Sequence, residues 1–290
     1  MSVTKGLNFS QDSLLLTLVA TPIGNLEDMS PRGIKALSEA DDIFCEDTRN
    51  TEKLLSCLKI GKKNLHSCHD FNEEEESNKA IELIKEGKKV CYASDAGYPL
   101  VSDPGSRLVA KALENDIRVS VVPGPCAAIN ALVCSGLDSE HFYFEGFLPP
   151  KEKARNDELR ELSERKETLI FYESPHHITK TLVAMCAVFG PRKAVIAREL
   201  TKVHEEFIRG TLPELAILGE DELRGEMVII VEGKPNASVE VDDNMICLAL
   251  RDELEFERSG KEAVENVAKN MGVKKNRVYA IYLKTFKDNN

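Results

Sequence analysis

From residue 14 onward, short apolar runs alternate with amphipathic stretches of helical spacing, and several of the runs end in turns rich in Pro, Gly, Ser or Asp. No other feature of the chain restricts its fold as much. A short apolar run bounded by turn residues reads as a strand buried on both faces, and a helix between two such strands implies parallel βαβ pairing. Strands are expected at 14–20, 42–45, 64–68, 89–93 and 118–122. Helices are expected at 31–39, up to about 58, at 74–86 and at 106–114. Ser30 followed by Pro31 supplies an N-cap and a first-turn proline for the first helix.

Beyond residue 130 the character changes. A helix should end near Gly136, and a charged segment opens at Lys151. A second set of strands is expected at 168–172, 193–197, 204–209 and 227–231. The last two lie close enough in sequence for antiparallel pairing, so the second sheet should be mixed. The expected organisation is a loose tail at 1–13, an α/β domain at 14–123, a second α/β domain at 124–234 and a small helical unit at 240–290. In that last unit Ser259 and Glu262 form a capping-box pattern, Gly272 suits a helix stop, and 276–286 reads as a further helix. Its basic residues Lys269, Lys274, Lys275, Arg277, Lys284 and Lys287 interleave with Tyr279 and Tyr282. A solvated helix face or a nucleic-acid contact explains that pattern.

Composition narrows the class. No apolar run approaches the roughly 18–20 residues of a membrane-spanning helix, which makes a cytoplasmic, membrane-free protein the expectation. The net charge of −11 argues against nucleic-acid binding through global charge. Eight cysteines are spread without a C-x-x-C pair, and His176 and His177 are adjacent, so neither a disulfide framework nor a metal site is expected.

The functional residues should gather at the carboxyl ends of the strands, where open α/β sheets bind ligands. The polar loop Y-A-S-D-A-G-Y-P-L-V-S-D-P-G (92–105) makes Asp95 and Asp103 the first candidates for ligand contact. Turn stabilisation by both is the plainer alternative. Further unusual strand ends are P-I-G (22–24), E-D-T-R (46–49), P-G-P (123–125), E-S-P (173–175) and R-E (198–199). Drawn from both halves of the chain, they point to a cleft between the two domains. There is no G-x-G-x-x-G after the first strand, no P-loop and no G-x-S-x-G elbow. Ordinary dinucleotide enzymes, P-loop NTPases and α/β hydrolases are thereby disfavoured.

The ordered set A-T-P-I-G-N-L, E-D-T-R-N-T, H-D-F-N-E, S-D-A-G-Y-P-L-V-S-D-P-G, P-G-P-C-A-A, E-G-F-L-P-P-K, F-Y-E-S-P-H, A-R-E-L-T-K and G-E-M-V-I-I-V-E-G spans about residues 14–233. It resembles the bacterial small-subunit ribosomal RNA (cytidine-2′-O)-methyltransferases, within the tetrapyrrole-methylase-like class of S-adenosylmethionine (SAM) enzymes. The resemblance implies two α/β domains with SAM in the cleft between them, usually in a homodimer. It implies cofactor contacts at Pro22, Ile23, Gly24, Ser94, Asp95, Tyr98, Ala127, Ala128, Ser174, Glu226 and Met227. Two positions depart from the family pattern: Tyr98 replaces a small Thr, and His177 stands where Arg is usual.

Methyl transfer to a ribose hydroxyl needs alignment and a proton acceptor. Asp47 is the nominated base, with Glu46, His69 and Glu199 as further candidates. Arg49 would position RNA or orient the carboxylate, unless it merely pairs with Asp47 or Glu46 to fix the loop. Lys151, Lys153 and Arg155, with Lys274, Lys275 and Arg277, are the candidate RNA-binding surface, and RNA within an assembled small subunit is the expected substrate. The other readings are a methylase of a small tetrapyrrole on the same fold and a non-catalytic RNA-binding assembly factor.

Overall fold

The computed structural model describes residues 14–69, 71–219, 222–235, 243–255, 259–271 and 273–287. β1 (Leu15–Val19) leads through a 3-10 turn into α1 (Pro31–Glu39), and β2 (Asp42–Cys45) into α2 (Thr48–Cys57). Then come β3 (Asn64–Ser67), α3 (Glu73–Lys85), β4 (Val90–Ala93), α4 (Ser106–Glu114) and β5 (Arg118–Val122). The strands pair in the order β3-β2-β4-β1-β5, all parallel.

β2 and β4 are buried at every position, which is why V-C-Y-A is a continuous apolar run and why Asp42, the one charged residue of D-I-F-C, meets the His66 ring at 2.7 Å. Leu16, Phe44, Tyr92 and Leu108 pack on one side of the sheet, and Val19, Leu37, Ile43 and Leu55 on the other. Helix starts follow local chemistry. The Ser30 hydroxyl accepts from the Gly33 N–H at 3.0 Å, with Pro31 in the first turn.

The second sheet is built from β6 (Phe142–Phe147), β7 (Thr168–Glu173), β8 (Lys193–Arg198), β9 (Glu206–Thr211) and β10 (Met227–Val231). Helices α5 (Ala127–Ser135), α6 (Glu152–Leu162), α7 (Ile178–Phe189) and α8 (Leu212–Leu215) precede or separate its strands. Its order is β6-β7-β10-β8-β9, with β6 parallel to β7 and the remaining pairs antiparallel. The mixed character is as expected. β6 itself was not anticipated, because Gly146 sits at φ +82° and the register shifts between Phe144 and Gly146, which breaks the alternation.

Both sheets lie in one compact unit, Met1–Lys234. The second unit, Pro235–Asn290, holds α9 (Asp243–Glu255), α10 (Gly260–Asn270) and α11 (Lys275–Tyr282), which continues as a π-helical turn over Leu283–Lys287. The capping box forms, with the Ser259 N–H donating to Glu262 at 3.0 Å. Ile246, Leu250, Val264, Val267 and Val278 make this unit's own core. α9 was not expected, and the expected tail at 1–13 and Gly272 stop lie outside the described residues. Among the described residues no helix is long and apolar enough to cross a membrane.

Candidate active site

A cavity of about 380 Å³ opens between the carboxyl ends of the first sheet and one end of the second. That volume is in the range of small-molecule sites. The first sheet contributes Ile23 after β1, the stretch from Ala96 to Asp103 after β4, and Cys126 and Ala127 after β5. The second contributes Tyr172, Glu173 and Ser174 from β7, Ala197 from β8, and Met227 and Val228 from β10. Phe144 and Phe147 meet the Tyr172 ring edge-on at 5.0 and 5.6 Å and support that wall. Burial pushes the Tyr172 hydroxyl up to about 12.

The loop after β4 is held from several directions. Thr21 and Gly97 exchange backbone hydrogen bonds at 2.9 and 3.0 Å. The Ser94 hydroxyl donates to the Gly97 carbonyl at 2.5 Å, and the buried Tyr92 hydroxyl to Pro104 at 2.9 Å. Buried Glu73 accepts the N–H groups of Gly105 (3.0 Å) and Arg107 (2.8 Å), capping the start of α4. Within this frame Leu100 and Ser102 are left-handed at φ 69° and 65°, which costs a non-glycine residue about 1–2 kcal/mol. Such outliers persist only where surrounding contacts fix them.

The opposite rim is an ionic bracket. The Lys202 ammonium lies 3.0 Å from Glu199 and 2.9 Å from Glu226, and the Glu226 N–H donates to Glu199 at 3.0 Å. The Lys202 hydrogen bond lowers the Glu199 pKa. Gly24 makes the approach of the β1 loop possible, since a Cβ there would lie 2.6 Å from Lys202 Cγ and 2.9 Å from the Leu200 carbonyl oxygen.

Of the expected cofactor residues, Ile23, Tyr98, Ala127, Ser174, Glu226 and Met227 line the cavity. Pro22, Gly24, Ser94, Asp95 and Ala128 are not part of its lining. Asp95 accepts from the Asp47 N–H at 3.3 Å and the Asn50 amide at 2.8 Å, tying the β2 and β4 loops together. Buried Ala128 turns its backbone toward the Tyr172 hydroxyl.

Of the two readings of the β2 loop, the structure contains the Asp47–Arg49 pair. Asp47 caps α2 by accepting from the Arg49 N–H at 2.9 Å, and pairs with the Arg49 guanidinium at 2.6 Å. The side chain and backbone of Arg49 hold this carboxyl down to about 2, which makes it a weak proton acceptor. Arg49 is correspondingly committed to the loop. Glu199 is held in the bracket, and Glu46, whose carbonyl accepts from Ser67, is exposed on the β2 loop. His69 donates its N–H to Asn72 at 2.8 Å and sets its ring edge-on to Phe71. None of these lines the cavity. Asp103 does, and burial, with Glu46 and Asp95 nearby, pushes its carboxyl up to about 7.

The basic residues also divide. Lys151 and Lys153 are exposed at the start of α6, whereas Arg155 is 7% exposed and cannot serve as a surface contact. Its position faces inward because Leu159 and Leu162 on the same helix enter the core. In the helical unit Lys275 pairs with Glu265 at 2.9 Å and Arg277 with Asp243 at 2.7 Å, while Lys274 is exposed at the start of α11. All eight cysteines are free. Among the described residues no cluster of three His, Cys, Asp or Glu side chains is placed to hold a metal ion.

Comparison with known proteins gives this geometry a context. A protein named Ribosomal RNA small subunit methyltransferase I from Halalkalibacterium halodurans is 43% identical over 284 residues, covering 93% of this chain and 95% of its own. One of the same name from Haemophilus influenzae is 44% identical over 269 residues, covering 91% and 95%. Among solved structures, the methyltransferase CobJ aligns with TM-score 0.57 at 20% identity, over 76% of this chain and 94% of its own. Diphthine synthase aligns with TM-score 0.59 at 17% identity, over 75% and 90%. These two likenesses establish the fold. A family model described as Tetrapyrrole (Corrin/Porphyrin) Methylases matches residues 15–216, from the first strand to the end of the second sheet's β9 and beyond. The chain belongs to the tetrapyrrole (corrin/porphyrin) methylase family.

Proposed function

We propose that this protein is a SAM-dependent methyltransferase of small-subunit ribosomal RNA that places the methyl group on the 2′-hydroxyl of a cytidine ribose. The observation that carries the reading is the near full-length similarity to proteins named Ribosomal RNA small subunit methyltransferase I. The fold by itself does not choose the acceptor, since its neighbours include CobJ and diphthine synthase.

The cavity fits SAM in size and chemistry. Ile23, Ala127, Leu200, Met227 and Val228 give apolar walls, with Tyr98 and Ser174 as polar groups among them. The start of α5 has no side-chain cap, and Ala127 in its first turn lines the cavity, where a helix start favours a ligand carboxylate. Bound SAM supplies an electrophilic methyl group on a sulfonium sulfur. The protein's part is to hold acceptor and donor in line and to remove the acceptor's proton. The Asp47–Arg49 pair and Asp95 fix the two loops at the mouth of the cavity, and Lys151, Lys153 and Lys274 supply exposed positive charge for phosphates. The reading includes an assembled small subunit as substrate and a homodimer as the working form; exposed Ile129 and Val133 on α5 are apolar side chains a second copy would cover.

The test is incubation of labelled SAM with small ribosomal subunits from cells lacking this protein. Label in the RNA is the expected result. SAM binding with no label in RNA, and label in a small tetrapyrrole instead, overturns it.

A further inference from the structure

Methyl transfer to a ribose 2′-hydroxyl constrains what must surround the cavity. The carbon bearing that hydroxyl is bonded on one side to the carbon that carries the base, and on the other to the carbon whose oxygen carries the 3′-phosphate. An acceptor oxygen inside the cavity therefore brings a base and a phosphate to its mouth. Phe147, at the end of β6, is 58% exposed although it lines the cavity. Among the described residues, Val101 on the loop after β4 is the other large apolar side chain of the lining that is exposed, at 39%. Their chain neighbours approach each other closely, since a Cβ on Gly146 would lie 3.1 Å from the Ser102 hydroxyl oxygen. Phe147 and Val101 thus flank one junction between β6 and the β4 loop.

The Phe147 ring is held in place. It leans edge-on against Tyr172 at 5.6 Å, Tyr172 takes Phe144 edge-on at 5.0 Å, and the Tyr172 hydroxyl hydrogen-bonds with the Ala128 backbone. Lys151 and Lys153 follow in the chain, exposed at the start of α6, and Pro149 and Pro150 restrict the backbone between ring and charges. β6 therefore leads from an open aromatic ring, through a stiff connection, to charge suited to phosphate. An aromatic ring left in water is unfavourable, and an unpaired RNA base stacked on it recovers that free energy.

We infer that Phe147 is the platform on which the base of the acceptor nucleotide stacks while its 2′-hydroxyl enters the cavity. The inference rests on the methyltransferase reading above and names the contact that orients the acceptor. Every base has a π face, so stacking on Phe147 supplies alignment, and the choice of cytidine falls to other contacts.

The test uses the full chain with Phe147→Ala, Phe147→Leu, Phe147→Tyr and Phe147→Trp. Phe142→Ala is the control, an exposed ring on the same strand outside the cavity lining. Transfer to small subunits from cells lacking this protein is measured against subunit concentration, SAM affinity by calorimetry, and oligomeric state by light scattering. Phe147→Ala should lower kcat/KM for subunits by about fivefold or more. Its SAM affinity should change by less than about threefold, with the oligomeric state unaltered. Phe147→Tyr and Phe147→Trp should stay within about threefold of the wild type. Phe147→Leu, which keeps apolar bulk without a flat ring, should fall with Phe147→Ala, and Phe142→Ala should change nothing. Wild-type transfer by Phe147→Ala or Phe147→Leu overturns the assignment. So does a loss of SAM affinity that matches the loss of transfer, which would make the ring a cofactor contact. A changed oligomeric state overturns it as well, by making the ring a surface that a second copy covers. Absence of transfer by the wild-type protein sinks the functional reading and this inference with it, whereas failure of the Phe147 series alone leaves that reading standing.

Discussion

Asp95 and Asp103 occupy one loop and do opposite things. Asp95 satisfies an N–H and an amide on the neighbouring loop, and Asp103 faces the cavity unpaired. Burial raises Asp103 to about 7, so the native state binds its proton more tightly than the unfolded chain does. The stability tied to that proton is complete below about pH 4 and is lost as pH rises through about 7. Asp103→Asn should therefore melt above the wild type at pH 8 and level with it at pH 4. Because the group still sees solvent the gap is discounted, to about 2–4 °C. An equal gap at both values would contradict the burial account. Gly24 poses a steric question at the same scale. A methyl group there meets the Leu200 carbonyl oxygen at 2.9 Å, and backbone cannot step aside as Lys202 can. Gly24→Ala should cost about 1–3 kcal/mol in urea unfolding and weaken SAM binding, whereas Gly61→Ala, with nothing nearby, should be neutral.

Among the elements, α4 depends on a residue outside it. Glu73 at the start of α3 accepts two N–H groups at the buried start of α4. Glu73→Ala leaves both without a partner and should destabilise the protein by about 2–3 kcal/mol. A cost under about 0.5 kcal/mol would mean that water replaces the cap. This contact was not legible in the sequence, because it joins positions distant along the chain. The first sheet was legible, since β2 and β4, buried at every position, are almost wholly apolar runs and α1 carries the Ser30–Pro31 start. β6 was hidden by its bulge at Gly146, and α7 by its apolar composition, which shows little amphipathic contrast. Of the strand-end motifs, P-I-G, S-D-A-G and E-S-P contribute residues to the cavity wall, and E-D-T-R, P-G-P and R-E do not. What they could not tell is which way a carboxylate turns: Asp47 and Asp95 bond backbone and neighbouring side chains, as turn aspartates do.

For the whole molecule, the proposed RNA substrate has to be reconciled with a net charge of −11. Phosphate contact then falls to local groups such as Lys151 and Lys153, exposed at the start of α6. Replacing both by Ala should reduce the slope of log affinity for small subunits against log salt by about 1–2, with SAM affinity unchanged. An unaltered slope would move the RNA surface elsewhere. The central claim is the acceptor atom, and nucleoside analysis tests it most directly. Small subunits methylated by this protein are digested, and the labelled nucleoside is identified together with its resistance to alkaline cleavage. The account predicts 2′-O-methylcytidine with the adjoining linkage intact in alkali. A base-methylated nucleoside beside an alkali-labile linkage would contradict it.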